Sequence, residues 1–277
     1  MIWRIGGVPE HFNFPWRSPE AVQFLKSQGL RFSWHEYPGG TGAMIQDLLE
    51  DRLDLAIVLT EGFIAAAVSG KPVRAVCPFV ESSLHWGVFV KHGAQIIDTM
   101  QRRFAVSRLG SGSHLMALYW ARSKGWQADA CEFVICDGLA GAKLALAEGR
   151  ADYFLWEKYM TWPLVMDRIF DCTDEVLAPW MSFVVVSRHD LLAQHTAEID
   201  QWKTNLPGFC KTALDKLNMR AEISDRYGIP QTMVAEWLTA LRYWDGRVDW
   251  RNGIAKASQI MYEYGMVQEL DSIEDWI

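Results

Sequence analysis

The chain is predicted to be an α/β protein, and three features carry that expectation. Strand-like and helix-like patterns alternate from Met1 to Val80. A helix end, a short charged turn, an aspartate and an apolar strand follow one another at two separate places. Beyond Ser187 the apolar periodicity is helical throughout. Alternation of this kind makes βαβ units and a largely parallel, buried sheet.

Taken in order, Met1–Ile5 reads as a strand and Gly6-Gly7-Val8-Pro9 as the turn after it. Ser18-Pro19-Glu20 supplies an N-cap with proline at the first helical position, and Gly29 closes that helix. Leu30–Tyr37 is the next strand, and Gly39-Gly40-Thr41-Gly42 turns into a helix running to about Glu50. Leu53–Leu59 is an apolar strand, and Thr60-Glu61-Gly62 opens a helix through Val68 that ends at Gly70-Lys71-Pro72. Val73–Val80 is strand-like again. The repeated pattern is Leu48 to Ile57 in one copy and Ala145 to Phe154 in the other, with Asp54 and Asp152 just before the strands. It points to two similar lobes, although any αβ connection can look like this. His189–Leu217, Met219–Tyr227, Pro230–Leu241 and Asn252–Tyr264 are helical, and the acidic end (Glu269, Asp271, Glu274, Asp275) reads as a solvated tail.

Composition narrows the function classes. A net charge of −7 without a basic stripe argues against a nucleic-acid partner. No apolar run approaches the roughly 20 residues of a membrane span. The five cysteines (Cys77, Cys131, Cys136, Cys172, Cys210) are odd in number and scattered, with Cys77, Cys131 and Cys136 in apolar strand contexts. They read as buried thiols, with neither a disulfide framework nor CxxC spacing. The seven histidines form no HExxH-type cluster, so neither a metal site nor a cofactor is expected. Met1-Ile2-Trp3-Arg4-Ile5-Gly6 carries no leader pattern. The expected location is therefore cytoplasmic, or periplasmic if a signal peptide has been removed. The fourteen tryptophans are expected mainly in cores, with one or two free to stack on a planar ligand.

The run Ser107-Arg108-Leu109-Gly110-Ser111-Gly112-Ser113-His114, between Phe104-Ala105-Val106 and Leu115–Trp120, is the most informative segment. It reads as a strand ending in a turn that opens a helix, where unpaired N–H groups and the macrodipole favour an anion or carbonyl group. Ser107, Ser111, Ser113 and Arg108 are expected to converge there. The plainer reading is an N-cap serine with glycines that only turn the chain.

Together with Gly39 to Met44, the Leu59-Thr60-Glu61-Gly62 turn and Gly138 through Asp152, this run resembles the type 2 periplasmic-binding-protein superfamily. The similarity lies towards the branch of thiamine-pyrimidine-precursor and sulfonate or taurine solute-binding proteins. It covers residues 1 to 190 well and the helical remainder loosely. The resemblance implies two α/β lobes, a hinge of two crossing strands, a ligand cleft between the lobes and a C-terminal helical layer. The chain would cross near His85-Trp86-Gly87-Val88 and Ser182-Phe183-Val184-Val185, giving a first lobe of 1–87 plus 187–277 and a second of 88–186. Carried over, the ligand-binding turns are Gly7, Val8 and Pro9, then Gly40, Thr41 and Gly42, then Thr60 and Glu61 in the first lobe. In the second they are Ser107, Arg108, Ser111, Gly112, Ser113, His114, Trp156 and Glu157. Ligands of open α/β sheets also sit outside the carboxyl ends of strands, which agrees.

Each residue has two readings. Arg108 either clamps a carboxylate, phosphate or sulfonate or forms a salt bridge to Glu157 or Glu61. Glu61 and Glu157 meet a ligand cation, or Glu157 is a helix N-terminal charge. Trp156 stacks a ring or belongs to the core. His114 hydrogen-bonds a ligand; no catalytic residue is expected unless the chain is an enzyme, in which case His114 is the acid–base candidate. His11 and His85 are weaker candidates. The expected function is that of a solute-binding protein closing on a small polar, anionic or zwitterionic molecule. The alternatives are a cytosolic enzyme of the same fold acting on a small carboxylate or pyrimidine-type metabolite, and a protein–protein adaptor. Pyridoxal-phosphate thiamine-pyrimidine synthases share this fold, but their cysteine-rich cluster is absent from this chain. A transporter partner is left open.

Overall fold

The computed structural model describes residues 1–95, 102–247, 249–268 and 273–277. The chain divides into two units: Met1–Ser83 with Trp180–Gln259 and Glu269–Ile277, and Leu84–Pro179 with Ile260–Gln268. Each unit is built on one five-stranded sheet.

In the first unit, β1 (Trp3–Gly7) is followed by a 3-10 turn over His11–Arg17 and by α1 (Pro19–Ser27), capped by the Ser18 hydroxyl accepting from Ala21 N–H. Then come β2 (Phe32–Glu36), α2 (Gly40–Leu49), β3 (Leu55–Leu59), α3 (Thr60–Val68) and β4 (Val73–Val80). In the second unit the order is β5 (His85–Lys91), β6 (Arg102–Val106), α4 (Gly112–Ser123), β7 (Cys131–Ile135), α5 (Leu139–Ala147), β8 (Tyr153–Glu157), α6 (Lys158–Met166) and β9 (Phe170–Leu177). The chain then returns to the first unit as β10 (Phe183–Arg188), α7 (His189–Gln194), α8 (Thr196–Leu214), α9 (Met219–Tyr227) and α10 (Gln231–Ala240). The last helix, α11 (Arg251–Glu263), begins in the first unit, and its final turns group with the second, where Tyr264 meets Tyr119 and Arg122.

The two sheets have the same plan. The first runs β2-β1-β3-β10-β4 and the second β7-β6-β8-β5-β9. In each, the first three positions are parallel, while the fourth strand is antiparallel to both its neighbours. The expectation of largely parallel sheets therefore needs correcting to mixed sheets. One strand of each sheet arrives from a crossing segment, without a βαβ connection, and nothing in a short apolar run encodes its direction.

The repeated aspartates hold equivalent places. Arg4 on β1 donates from its backbone N–H and from Nε to Asp54 Oδ2 at 2.7 and 3.1 Å, and from Nη2 to Oδ1. Arg103 on β6 does the same to Asp152, from N and Nε to Oδ2 at 3.3 and 3.0 Å and from Nη2 to Oδ1 at 2.7 Å. In both units the arginine's Nη1 also reaches a backbone carbonyl of the preceding turn, at Asp51 or Gly149. A bidentate guanidinium compensates a carboxylate that burial would otherwise penalise, and it locks the first strand to the third.

Other expectations shift in detail. Gly6 and Gly7 belong to β1, where a side chain on Gly7 would collide with Trp34 and Asn13. The helical stretch from His189 breaks at His195 into α7 and α8. Cys77 and Cys136 are buried as expected, but Cys131 is half-buried because β7 is an edge strand. At the acidic end, Glu274 and Asp275 lie in a 3-10 turn that buries Trp276, so this part is packed and not a free tail; Glu269 and Asp271 lie outside the described residues. The units divide at 83/84 and 179/180, a few residues before the expected 87/88 and 186/187. β5 pairs along its length with β8 and β9, and β10 with β3 and β4, so each of the two supposed crossing strands is a full member of one sheet. The connecting segments themselves are 81–84 and 178–182. Ser182 N–H donates to Val80 and Ser82 carbonyls, and Ala178 N–H to Leu84 O.

Candidate functional site

In each unit the candidate residues follow the carboxyl ends of the parallel strands, where the strands stop pairing and backbone groups become available. In the second unit β6 ends at Val106 and the turn Ser107–Ser111 leads into α4. The Ser111 hydroxyl caps α4 by accepting from His114 N–H at 3.3 Å, and it donates to Arg108 O at 2.7 Å. Ser113 Oγ is the hub. It accepts from Ser107 N–H at 2.9 Å and lies 3.0 Å from Ser111 Oγ and 3.2 Å from Ser107 Oγ. The three serines thus converge as expected, but on one another, which makes the turn rigid. Gly110 supplies the left-handed φ of +75° that the turn requires.

Arg108 is exposed, and its guanidinium has no hydrogen bond or ion pair among the described residues. Within the second unit, Arg108 makes no salt bridge to Glu157. His114 is half-buried, edge-on to Phe133 at 4.3 Å between ring centroids, and burial lowers its pKa. Its Nδ1 accepts from Gly110 N–H at 3.0 Å. A backbone N–H can only donate, so the neutral ring carries its proton on Nε2 and presents a donor there. Gly112, between the capping serine and the hub, is half-buried at the first position of α4.

β8 runs parallel to β6, with Phe104 opposite Tyr153 and Ala105 opposite Phe154. Continued by two residues, this register sets the Ser107 turn alongside Trp156 and Glu157. Glu157 is buried and caps α6, its Oε2 accepting from Met160 N–H at 2.7 Å. The helix-charge reading of Glu157 is thereby realised. Trp156 stacks on Phe154 (5.2 Å, 20° between planes) and packs on the core around α5, so much of its ring is spent on packing.

The first unit places its residues on β1, α2 and α3. Pro9 is half-buried just after β1. Gly40, with φ +68°, opens α2 together with Thr41 and the exposed Gly42. Thr41 Oγ1 accepts from Leu59 N–H at 3.3 Å, and a side chain on Gly62 would collide with the Thr41 side chain. That contact ties the start of α2 to the start of α3. Thr60 is fully buried; its N–H donates to Ser182 O at 3.0 Å, while its hydroxyl has no partner among the described residues. Glu61 is buried, with Trp180 Nε1 donating to its Oε2 at 3.1 Å, and burial raises its pKa to about 7.

Sequence reasoning passed over Glu10. It follows β1 by three residues and has no hydrogen bond or ion pair from its side chain among the described residues, and burial raises its pKa to about 7 as well. No local signal distinguishes it from a surface acid after a proline; only its position beyond the sheet edge does. Its neighbour His11 is fully buried against Phe12 and Trp237, and its pKa is lowered by burial to about 3. Among the described residues no cluster of side chains could hold a metal ion, and no helix is long and apolar enough to cross a membrane.

Comparison with known proteins agrees with this architecture. The family model of Ca3427-like periplasmic binding proteins matches residues 87–168. Among solved structures, the chain is similar to the Candida albicans CA3427 gene product, a protein described as defining a new family with the generic periplasmic-binding-protein fold. That match has a TM-score of 0.88 and 21% identity, over 100% of this chain and 95% of that one. It is also similar to the periplasmic aliphatic sulphonate-binding protein SsuA of Escherichia coli (TM-score 0.73, 16% identity, 100% and 91% covered). A third is the periplasmic nitrate-binding protein NrtA of Synechocystis (0.71, 12%, 96% and 82%). No curated protein matches the sequence. The chain has the periplasmic-binding-protein fold.

Proposed function

We propose that the chain is a solute-binding protein for a small anionic or zwitterionic molecule, held at the turn that opens α4 at the carboxyl end of β6. The observation that carries this reading is Arg108. It is an exposed guanidinium without a side-chain partner among the described residues, on a serine-braced turn that opens α4. A guanidinium offers planar, paired donors to a carboxylate, sulfonate or phosphate, and the helix N-terminus adds its partial positive charge. Fixed backbone and hydroxyl positions lower the ordering cost of binding. Solved structures of the same fold bind sulfonates and nitrate, which supports an anionic group in the ligand. His114, with Nδ1 occupied, serves this reading as a neutral donor from Nε2.

The test is a thermal-shift screen of sulfonates, amino acids, carboxylates and phosphates, followed by calorimetric titration of each hit into the protein and into Arg108→Ala. A ligand at a hundredfold above its Kd adds about 2.7 kcal/mol of stability. The expected result is a hit whose affinity falls at least about tenfold in Arg108→Ala, the worth of a charge-assisted pair. The unliganded melting temperature should not change, because Arg108 has no side-chain partner among the described residues. A hit indifferent to Arg108 sinks the assigned anion site. The closure implied by the fold resemblance is tested separately, by small-angle scattering with and without that hit.

A further inference from the structure

The backbone pairing of β4 continues past its last residue, and within the first unit it is met from both sides. On the outer edge the chain returns after α10. Trp244 N–H donates to Phe79 O at 3.0 Å, and Val80 forms an antiparallel bridge with Tyr243. The N–H groups of Glu81 and Ser82 both donate to Arg242 O, at 2.8 and 3.3 Å, and Arg242 N–H donates back to the Ser82 hydroxyl at 3.1 Å. On the inner side stands Ser182, just ahead of β10. Its N–H donates to Val80 O and Ser82 O at 3.1 and 3.2 Å, its hydroxyl donates to Ser82 O, and its carbonyl accepts from Thr60 N–H at 3.0 Å. Ser82 and Ser182 are 5% and 1% exposed. Two side chains anchor the returning segment. The Tyr243 hydroxyl donates to Phe12 O at 2.8 Å, with its ring 5.2 Å from that of Phe79, and Trp244 is buried. One residue further the pairing stops. Among the described residues neither Ser83 N–H nor Met181 N–H has a hydrogen-bond partner, and Pro179 has no N–H to give. Covering the edge of β4 would need pairing only as far as Val80; the bonds to Glu81 and Ser82 lie beyond the strand, on the connecting segment.

We propose that Arg242–Trp244 is a clasp that fixes both connecting segments to the first sheet as far as Ser82 and Ser182, so that the chain turns at Ser83 on the way out and at Pro179 on the way back. Backbone groups held by several bonds resist local opening, while a residue with a free N–H rotates at little cost. At Pro179 the ring fixes φ, so turning there falls to ψ. Ser82 and Tyr243 are the positioning residues of the clasp: the first joins all three segments, and the second ties the returning one to Phe12. The family resemblance implies two crossing strands and covers the chain beyond residue 190 only loosely. The clasp is a third segment, supplied by the C-terminal part of the chain. It is complete in the protein without a ligand, so it stands apart from the solute-binding reading.

The experiment is native-state amide hydrogen exchange of the full chain, read residue by residue by NMR and corrected for intrinsic rates. The expected result is slow exchange at Glu81, Ser82, Ser182 and Trp244, and exchange at least about a hundredfold faster at Ser83. Rates at Ser83 and Glu81 within about threefold of each other overturn the proposal. Tyr243→Ala cuts the tie to Phe12 and should speed exchange at Glu81 and Trp244 at least about tenfold, while Ile57 inside β3 keeps its rate. No change at Glu81, or an equal acceleration at Ile57, overturns the proposal, because the segment would then be either idle or an undistinguished part of the core. If Tyr243→Ala does not fold, Ser82→Ala decides, since it removes only the hydroxyl that accepts from Arg242 N–H. Exchange at Arg242 should then rise about tenfold with Ile57 unchanged, and an unaltered rate at Arg242 overturns the clasp.

Discussion

Replacing Glu61 by glutamine should change how stability depends on pH. The carboxyl is only 4% exposed, and burial holds its pKa at about 7 against an ordinary 4.5. An acid with a raised pKa binds its proton more tightly in the folded chain than in the unfolded one. Its contribution is therefore fully present below about pH 4.5 and is lost as pH rises through about 7. The shift, from 4.5 to about 7 at about 1.4 kcal/mol per unit, sets an upper limit of about 3 to 4 kcal/mol on that loss. His11 works in the opposite direction. Its pKa is lowered from 6.5 to about 3, so the unfolded chain takes up the proton first as pH falls, and acid weakens the fold at that site. Comparing the two proteins at each pH cancels His11 and every other shared group. The assay is urea unfolding between about pH 5 and about pH 8, followed by tryptophan fluorescence and far-ultraviolet circular dichroism to check that the transitions coincide. Relative to the native protein, Glu61→Gln should gain about 2–3 kcal/mol across that interval, because glutamine keeps an acceptor for Trp180 and carries no charge. A difference flat to within about 0.5 kcal/mol would refute the claim that Glu61 is buried without compensation.

The remaining predictions concern the frame of the second unit. Arg103→Met leaves the carboxylate of Asp152 without its bidentate partner, and should destabilise the unit by about 3 kcal/mol in urea unfolding. A loss below about 0.5 kcal/mol would show that the clamp is an ordinary surface pair. Gly141→Ala should fail to fold or lose more than about 4 kcal/mol, because its Cβ would fall 2.0 Å from the Cys136 carbonyl oxygen, a backbone atom that cannot swing aside. Near-normal melting of that variant would mean that α5 does not approach the Cys136 backbone so closely.

Much of the frame was legible because its signals are local. α3 spans Thr60–Val68 and β4 Val73–Val80, the ranges read from turn residues and apolar runs, and the Ser18 cap of α1 and the Ser111 position follow from side-chain chemistry alone. β9 escaped because Asp171, Thr173, Asp174 and Glu175 look like loop; they form an edge strand whose charges find partners such as Lys124 and Lys158. The antiparallel placement of β5 and β10 escaped because pairing partners lie far away along the chain. At the site, the serine turn was visible as a cap, while the mutual bonding of its hydroxyls, and the lack of a partner for Arg108 among the described residues, are tertiary facts. Glu10 shows the limit most clearly, since its half-buried place beyond the sheet edge, and not any local signal, is what separates it from an ordinary surface acid.

The position of β10 in its sheet bears on the order in which a newly made chain can fold. β10 lies between β3 and β4, yet it leaves the ribosome only after β9 is complete. Until then β4 has no neighbour in its own sheet, and the N-terminal segment can only wait as a three-stranded fragment. All five strands of the other sheet are synthesised before β10, so that sheet can close first. The usual N-to-C sequence of domain folding during synthesis is inverted here, and the unit that contains Met1 is the later of the two to finish.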